Sequence, residues 1–109
     1  MNPSELTELL AKAREAQSKL EDLQRELAAR QVEGSAGGGM VKAVASGALR
    51  ILSIRIEPSL IESADRDMLQ DLTAAAVNAA LSNAQRLIQE EMQRASSGLA
   101  LPGFGGASS

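Results

Sequence analysis

Residues 34–47, GSAGGGMVKAVASG, hold five glycines around one short apolar run, and their reading decides the fold. A stretch of this kind either cradles a phosphate or reverses the chain. A Walker-type phosphate loop requires GxxxxGK[ST] leading into a helix. A dinucleotide fingerprint requires a strand before it and a helix after it. Here AGGG (36–39) leads into an alternating run, and Lys42 is followed by Ala43. Neither context holds, so the glycines are read as a tight strand-to-strand reversal with positive φ angles.

Working outward, Val41, Ala43 and Ala45 fall on one strand face, with Met40, Lys42 and Val44 on the other. Ser46-Gly47 signals a second hairpin. A two-residue turn there sets Ala45 opposite Ala48. Leu52, Ile54 and Ile56 then share the face of Val41 and Ala43, while Ile51, Ser53 and Arg55 point away. Gln31–Ser35 reads as a short strand before the glycines, and Pro58 ends the last strand. PSLIES (58–63) is expected to form a turn or short helical segment. The centre of the chain is thus a small three-stranded antiparallel sheet with one covered face.

Two long helices flank it. Asn2 caps the first, Pro3 suits its first position, and Glu5 completes a capping box. Leu6, Leu9, Ala13, Ala16, Leu20, Leu23 and Leu27 alternate spacings of three and four, a coiled-coil seam of three heptads. Its partner is either the second helix of the same chain or another subunit; periodicity does not choose. The second helix is expected from about Asp65 to Ser96. Its centre, TAAAVNAALSNA (73–84), is small and apolar, and QRLIQEEMQR (85–94) is amphipathic. The reading is an α+β domain of order α-β-β-β-α over residues 1–97. Residues 98–109 are expected to be a disordered tail.

Composition narrows the function. The 109 residues contain no Cys, His, Trp or Tyr, and the only aromatic is Phe104. A cysteine nucleophile, a disulfide and the usual neutral-pH general base are therefore excluded. No aromatic platform exists for stacking single-stranded nucleic acid. Glu8, Glu15 and Asp22 form an outward column, unlike an acid–base pair. No catalytic residue, metal site, cofactor or small-molecule substrate is expected. The chain reads as a soluble cytoplasmic protein with no membrane segment. Its net charge of −3 and pI near 4.9 argue against a simple basic DNA-coating protein.

The ordered set AKAREAQSKLEDLQRELA (11–28), VEGSAGGGMVKAVASG (32–47), IRIEPSLI (54–61), DMLQDLTAAAVNAALSNAQ (67–85) and SSGLALPGF (96–104) resembles the YbaB/EbfC family of bacterial nucleoid-associated proteins. The resemblance covers almost the whole chain. It implies a small fold of both helix and sheet, a homodimer with protruding, tweezer-like helical arms, duplex DNA as partner, a place in the nucleoid, and no catalysis.

Family resemblance does not say which cations touch DNA. The candidates read from the sequence are Lys12, Arg14, Lys19, Arg25, Lys42 and Arg55. Glu8–Lys12, Glu15–Lys19, Glu21–Arg25 and Glu26–Arg30 are all spaced as helix-stabilising pairs, which is the plainer role for those cations. Arg14 has Leu10 and Ser18 at that spacing, and Lys42 and Arg55 lack an acid close in sequence. Arg86 and Arg94 both lie four residues from Glu90. Asn78 and Asn83 are expected to bond a strand edge or a dimer interface. The rival to DNA binding is a protein–protein adaptor using coiled-coil arms.

Overall fold

The Asn2 side chain accepts the Glu5 N–H at 2.8 Å, and the Glu5 carboxylate accepts the Asn2 N–H in return. That capping box starts α1, Pro3–Ala29, as the sequence predicts. The computed structural model describes residues 1–63 and 65–98. After α1 come β1 (Gln31–Ala36), β2 (Val41–Ser46), β3 (Ile51–Ile56), the short α2 (Pro58–Glu62) and the long α3 (Arg66–Gly98). The three strands form one antiparallel sheet in chain order. Of the expected tail, residues 99–109 lie outside the described residues, and Gly98 ends α3.

The glycine stretch reverses the chain between Ala36 and Val41, which are paired. Gly37, Gly38 and Gly39 have φ of 63°, 67° and 95°, a region that L side chains seldom enter. Gly34 serves another purpose. A Cβ there would stand 2.6 Å from the Ala79 carbonyl carbon and 2.7 Å from the Ala80 Cα. Its absence lets α3 lie directly on β1. Ala76, Ala80 and Ala84, one turn apart, are fully buried against Val41, Ala43 and Ala45, with Leu60 of α2 closing one end. Asn83 donates to the Glu33 carbonyl at 2.7 Å and pins the helix to the strand, as expected of an asparagine at a strand edge.

The second hairpin differs from the expectation. Ser46 N–H bonds the Arg50 carbonyl and Leu49 N–H bonds the Ser46 carbonyl, so the loop has three residues, 47–49. Leu49 takes the left-handed position at φ 60°, where a glycine is usual. The extra loop residue reverses strand parity, and Ala45 pairs with Ile51, which therefore packs on the core instead of pointing away. A bulge at Leu52, left without a partner between the Ile51 and Ser53 pairs, reverses parity again. Ile54 and Ile56 thus return to the expected face and Arg55 to the outer one.

α3 lies over β1 and β2 and leaves β3 largely uncovered. Ile54, although on the inner face, is 43% exposed. α1 leaves the body beyond its last turns, where Leu23 and Leu27 are covered. Leu27 is buried and Leu23 and Ala16 are half-buried, whereas Leu6, Leu9, Ala13 and Leu20 are exposed. α3 of the same chain therefore does not fill the seam. The helix is an arm, and the molecule measures 73 × 28 × 15 Å. The arm is anchored where the Leu27 carbonyl lies against Gly47, a contact that a Cβ at Gly47 would abolish.

Candidate nucleic-acid interface

The six candidate cations fall into three places. Successive helical residues turn by about 100°, so Lys12 and Lys19 share one flank of the α1 seam, while Arg14 and Arg25 lie together on the side turned away from it. Lys42 and Arg55 are direct cross-strand partners on the outer sheet face, in one row with Ser35. All six side chains are exposed.

Of the four ion pairs expected along α1, only one forms. The Lys19 ammonium lies 3.4 Å from the Glu15 carboxylate. Arg25 turns to Asp22 at 3.1 Å instead of to Glu21. Lys12 and Arg30 make no ion pair among the described residues, and Arg94 chooses Glu91 over Glu90. The physical reason is the size of the effect. An exposed pair one turn apart contributes about 0.3–0.5 kcal/mol, no more than thermal energy, so a neighbouring acid or water competes on equal terms. Lys12 therefore joins Arg14 as a cation with no acid held against it, while Lys19 and Arg25 are engaged.

Lys42 and Arg55 line a cleft of about 420 Å³ with Gly38, Gly39, Met40 and Glu57 among its walls. The Lys42 Cε lies 3.8 Å from the position a Cβ would take on Gly39, so its stem runs over the glycine turn. Neither cation makes an ion pair among the described residues. The sequence places both on the outer face and, contrary to the expectation that Arg55 lacks a nearby acid, sets Glu57 two residues after it on the same side of the strand. What it does not show is that Glu57 and the glycine turn close one cleft. The link is tertiary: the Glu57 N–H bonds the Met40 carbonyl at 2.8 Å and ties the end of β3 to the turn.

A larger cleft, about 550 Å³, lies between the second hairpin and α3, lined by Leu49, Ser82, Gln85, Arg86, Ile88 and Gln89. It contains one cation and no acid. Arg86 makes no ion pair among the described residues, contrary to the pairing with Glu90 expected from its spacing. No helix among the described residues is long and apolar enough to cross a membrane.

The family model described as the YbaB/EbfC DNA-binding family matches residues 1–99. A protein named as nucleoid-associated from Thermoanaerobacter pseudethanolicus is 42% identical over 99 residues, covering 91% of this chain and 89% of the relative. Another of that name from Moorella thermoacetica is 46% identical over 82 residues, 75% of this chain and 79% of the relative. Among solved structures, an uncharacterized protein from Helicobacter pylori superposes with a TM-score of 0.67 at 21% identity, over 86% of this chain and 96% of its own. That likeness is one of fold.

Proposed function

The chain belongs to the YbaB/EbfC DNA-binding family, and on that premise we propose that it binds duplex DNA mainly through the phosphate backbone, as a homodimer with an architectural or regulatory role in the cytoplasmic nucleoid. The observation that carries the backbone reading is the character of the candidate contacts. They are long cationic side chains spread over an arm and a sheet face, with no aromatic residue and no recognition helix among them. Contacts of this kind position a protein on DNA without reading sequence. The homodimer rests on the α1 seam, where Leu6, Leu9 and Leu20 are exposed and nothing among the described residues covers them. It is a binding protein and not a catalyst.

A gel-shift assay on two unrelated duplexes at two salt concentrations tests the reading. Binding at low salt, similar on both duplexes and falling steeply with added salt, is expected. No binding at low salt would favour the adaptor, which the exposed seam and the engaged Lys19 and Arg25 also suit.

A further inference from the structure

The net charge of −3 hides a strong segregation along the chain. α1 carries six acids against four cations, and residues 57–98 carry seven acids against three. Residues 30–56 carry Arg30, Lys42, Arg50 and Arg55 against Glu33 alone. The sheet is thus the one basic part of an acidic protein. Within it, Lys42 and Arg55 stand directly opposite each other, and like charges so placed destabilise a strand pair unless an anion lies between them.

We propose that the cleft formed by Lys42, Arg55 and the glycine turn 37–39 seats one phosphate group and, on the DNA-binding reading above, that this is a backbone phosphodiester. The turn supplies more than a reversal. Gly39 and Met40 N–H donate to the Ala36 and Gly37 carbonyls at 3.3 and 3.4 Å, while the Gly38 N–H has no partner among the described residues. Gly38 is exposed, lines the cleft, and a Cβ on it would meet nothing within 4 Å, so the turn is open to solvent at this residue. Main-chain N–H groups in such turns form concavities suited to anions. The Lys42 stem crosses Gly39, and Arg55, whose guanidinium carries a fork of donors, lines the same cleft from the next strand. Glu57 is the opposing group: it lines the same cleft and makes no ion pair with either cation. Two cations, one free amide and one acid make a weak seat for an isolated phosphate. That suits one contact among several on a polyanion. The turn leads into a strand, so the exclusion of Walker and dinucleotide loops stands.

Two measurements on the full chain test the cleft. Duplex affinity is followed against salt for wild type, the double variant Lys42→Gln/Arg55→Gln, and Glu57→Gln. Amide shifts are followed by NMR as inorganic phosphate is added. The double variant, unchanged in circular dichroism and mass, is expected to lower the log–log salt slope by about one unit for each phosphate no longer neutralised. Glu57→Gln is expected to tighten duplex binding several-fold, and phosphate should shift the amides of Gly38, Gly39, Lys42 and Arg55 first. If wild type binds duplex and the double variant keeps its slope, the cleft is overturned and the DNA reading survives. If wild type ignores duplex while phosphate still shifts those amides, the seat stands and its ligand is a free phosphate compound. Silence in both measurements overturns the proposal entirely.

Discussion

Gly34→Ala should cost this protein more than any other single methyl group at a glycine of β1 or the turn after it. The added Cβ would meet main-chain atoms of Ala79 and Ala80, at 2.6 Å from the Ala79 carbonyl carbon. No side chain can swing aside to make room. Ordinary contact begins at 3.4 Å, so clearing the Ala79 carbonyl carbon alone takes a retreat of about 0.8 Å, and the still closer Ala80 nitrogen demands more, along a seam where Ala76, Ala80 and Ala84 have no exposed surface. The retreat opens gaps against Val41, Ala43 and Ala45 and stretches the 2.7 Å bond from Asn83 to Glu33. Gaps of that size forfeit a quarter or more of each contact's attraction. Overpacking of a core costs about 1–3 kcal/mol, and a clash between two backbones belongs at the upper end. The smaller unfolded-state entropy of alanine returns only about 0.4–1 kcal/mol. A net loss of about 2–3 kcal/mol lowers Tm by roughly 10–15 °C for a domain of this size. The assay is thermal unfolding by circular dichroism at one fixed protein concentration, with Gly38→Ala as the control. That control has open space but φ 67°, and should lose about 1–2 kcal/mol. A Gly34→Ala protein as stable as wild type would refute the direct contact of helix on strand.

Light scattering at micromolar concentration should give about 23 kDa, twice the chain mass of 11.4 kDa, in keeping with the preference for twofold dimers; a mass near 11 kDa would sink the homodimer. Leu9→Asp should leave the monomer fold intact, because Leu9 is 52% exposed, yet halve the measured mass if the seam pairs two copies. Arg14→Gln should weaken duplex binding more than Lys19→Gln, whose charge is partly neutralised by Glu15; the reverse order would remove the Arg14 face of α1 from the interface. Truncation after Gly98 should leave Tm and mass unchanged, and a large loss would mean that Leu99, Leu101 or Phe104 docks on the body.

Much of the fold is legible because strong local signals agree with tertiary demand. The capping box at Asn2 and Glu5, the alternation at Val41, Ala43 and Ala45, and Pro58 after β3 each mark an element that forms where expected. What escapes the sequence is set by contacts between elements. Gly47 looks like a turn glycine, but its φ is not positive; it is small because the Leu27 carbonyl lies against it. The left-handed position belongs to Leu49, at a cost of about 1–2 kcal/mol that no pattern announces. A loop one residue longer than expected and a bulge at Leu52 then cancel. The parity of Ile54 and Ile56 is therefore anticipated for a wrong reason, and Ile51 is misassigned.

The candidate interface is less legible, because it depends on how weak surface interactions are resolved. Spacing gives Lys12 an acid partner and Arg14 none, yet neither makes an ion pair among the described residues. Charge segregation gives the firmer ground. Fields at a surface fall off over about 10 Å at 0.1 M salt, whereas α1 is 27 residues long and spans roughly 40 Å at 1.5 Å per residue. The acids along most of the arm are therefore too distant to cancel the basic sheet, and the net charge of the chain is a poor guide to what DNA meets there. Close to the arm itself the acids outnumber the cations, so a duplex running along it is repelled except where Lys12 or Arg14 faces it alone. On the DNA-binding function proposed above, that distribution predicts contact that begins at the sheet and reaches the arms only at Lys12 and Arg14.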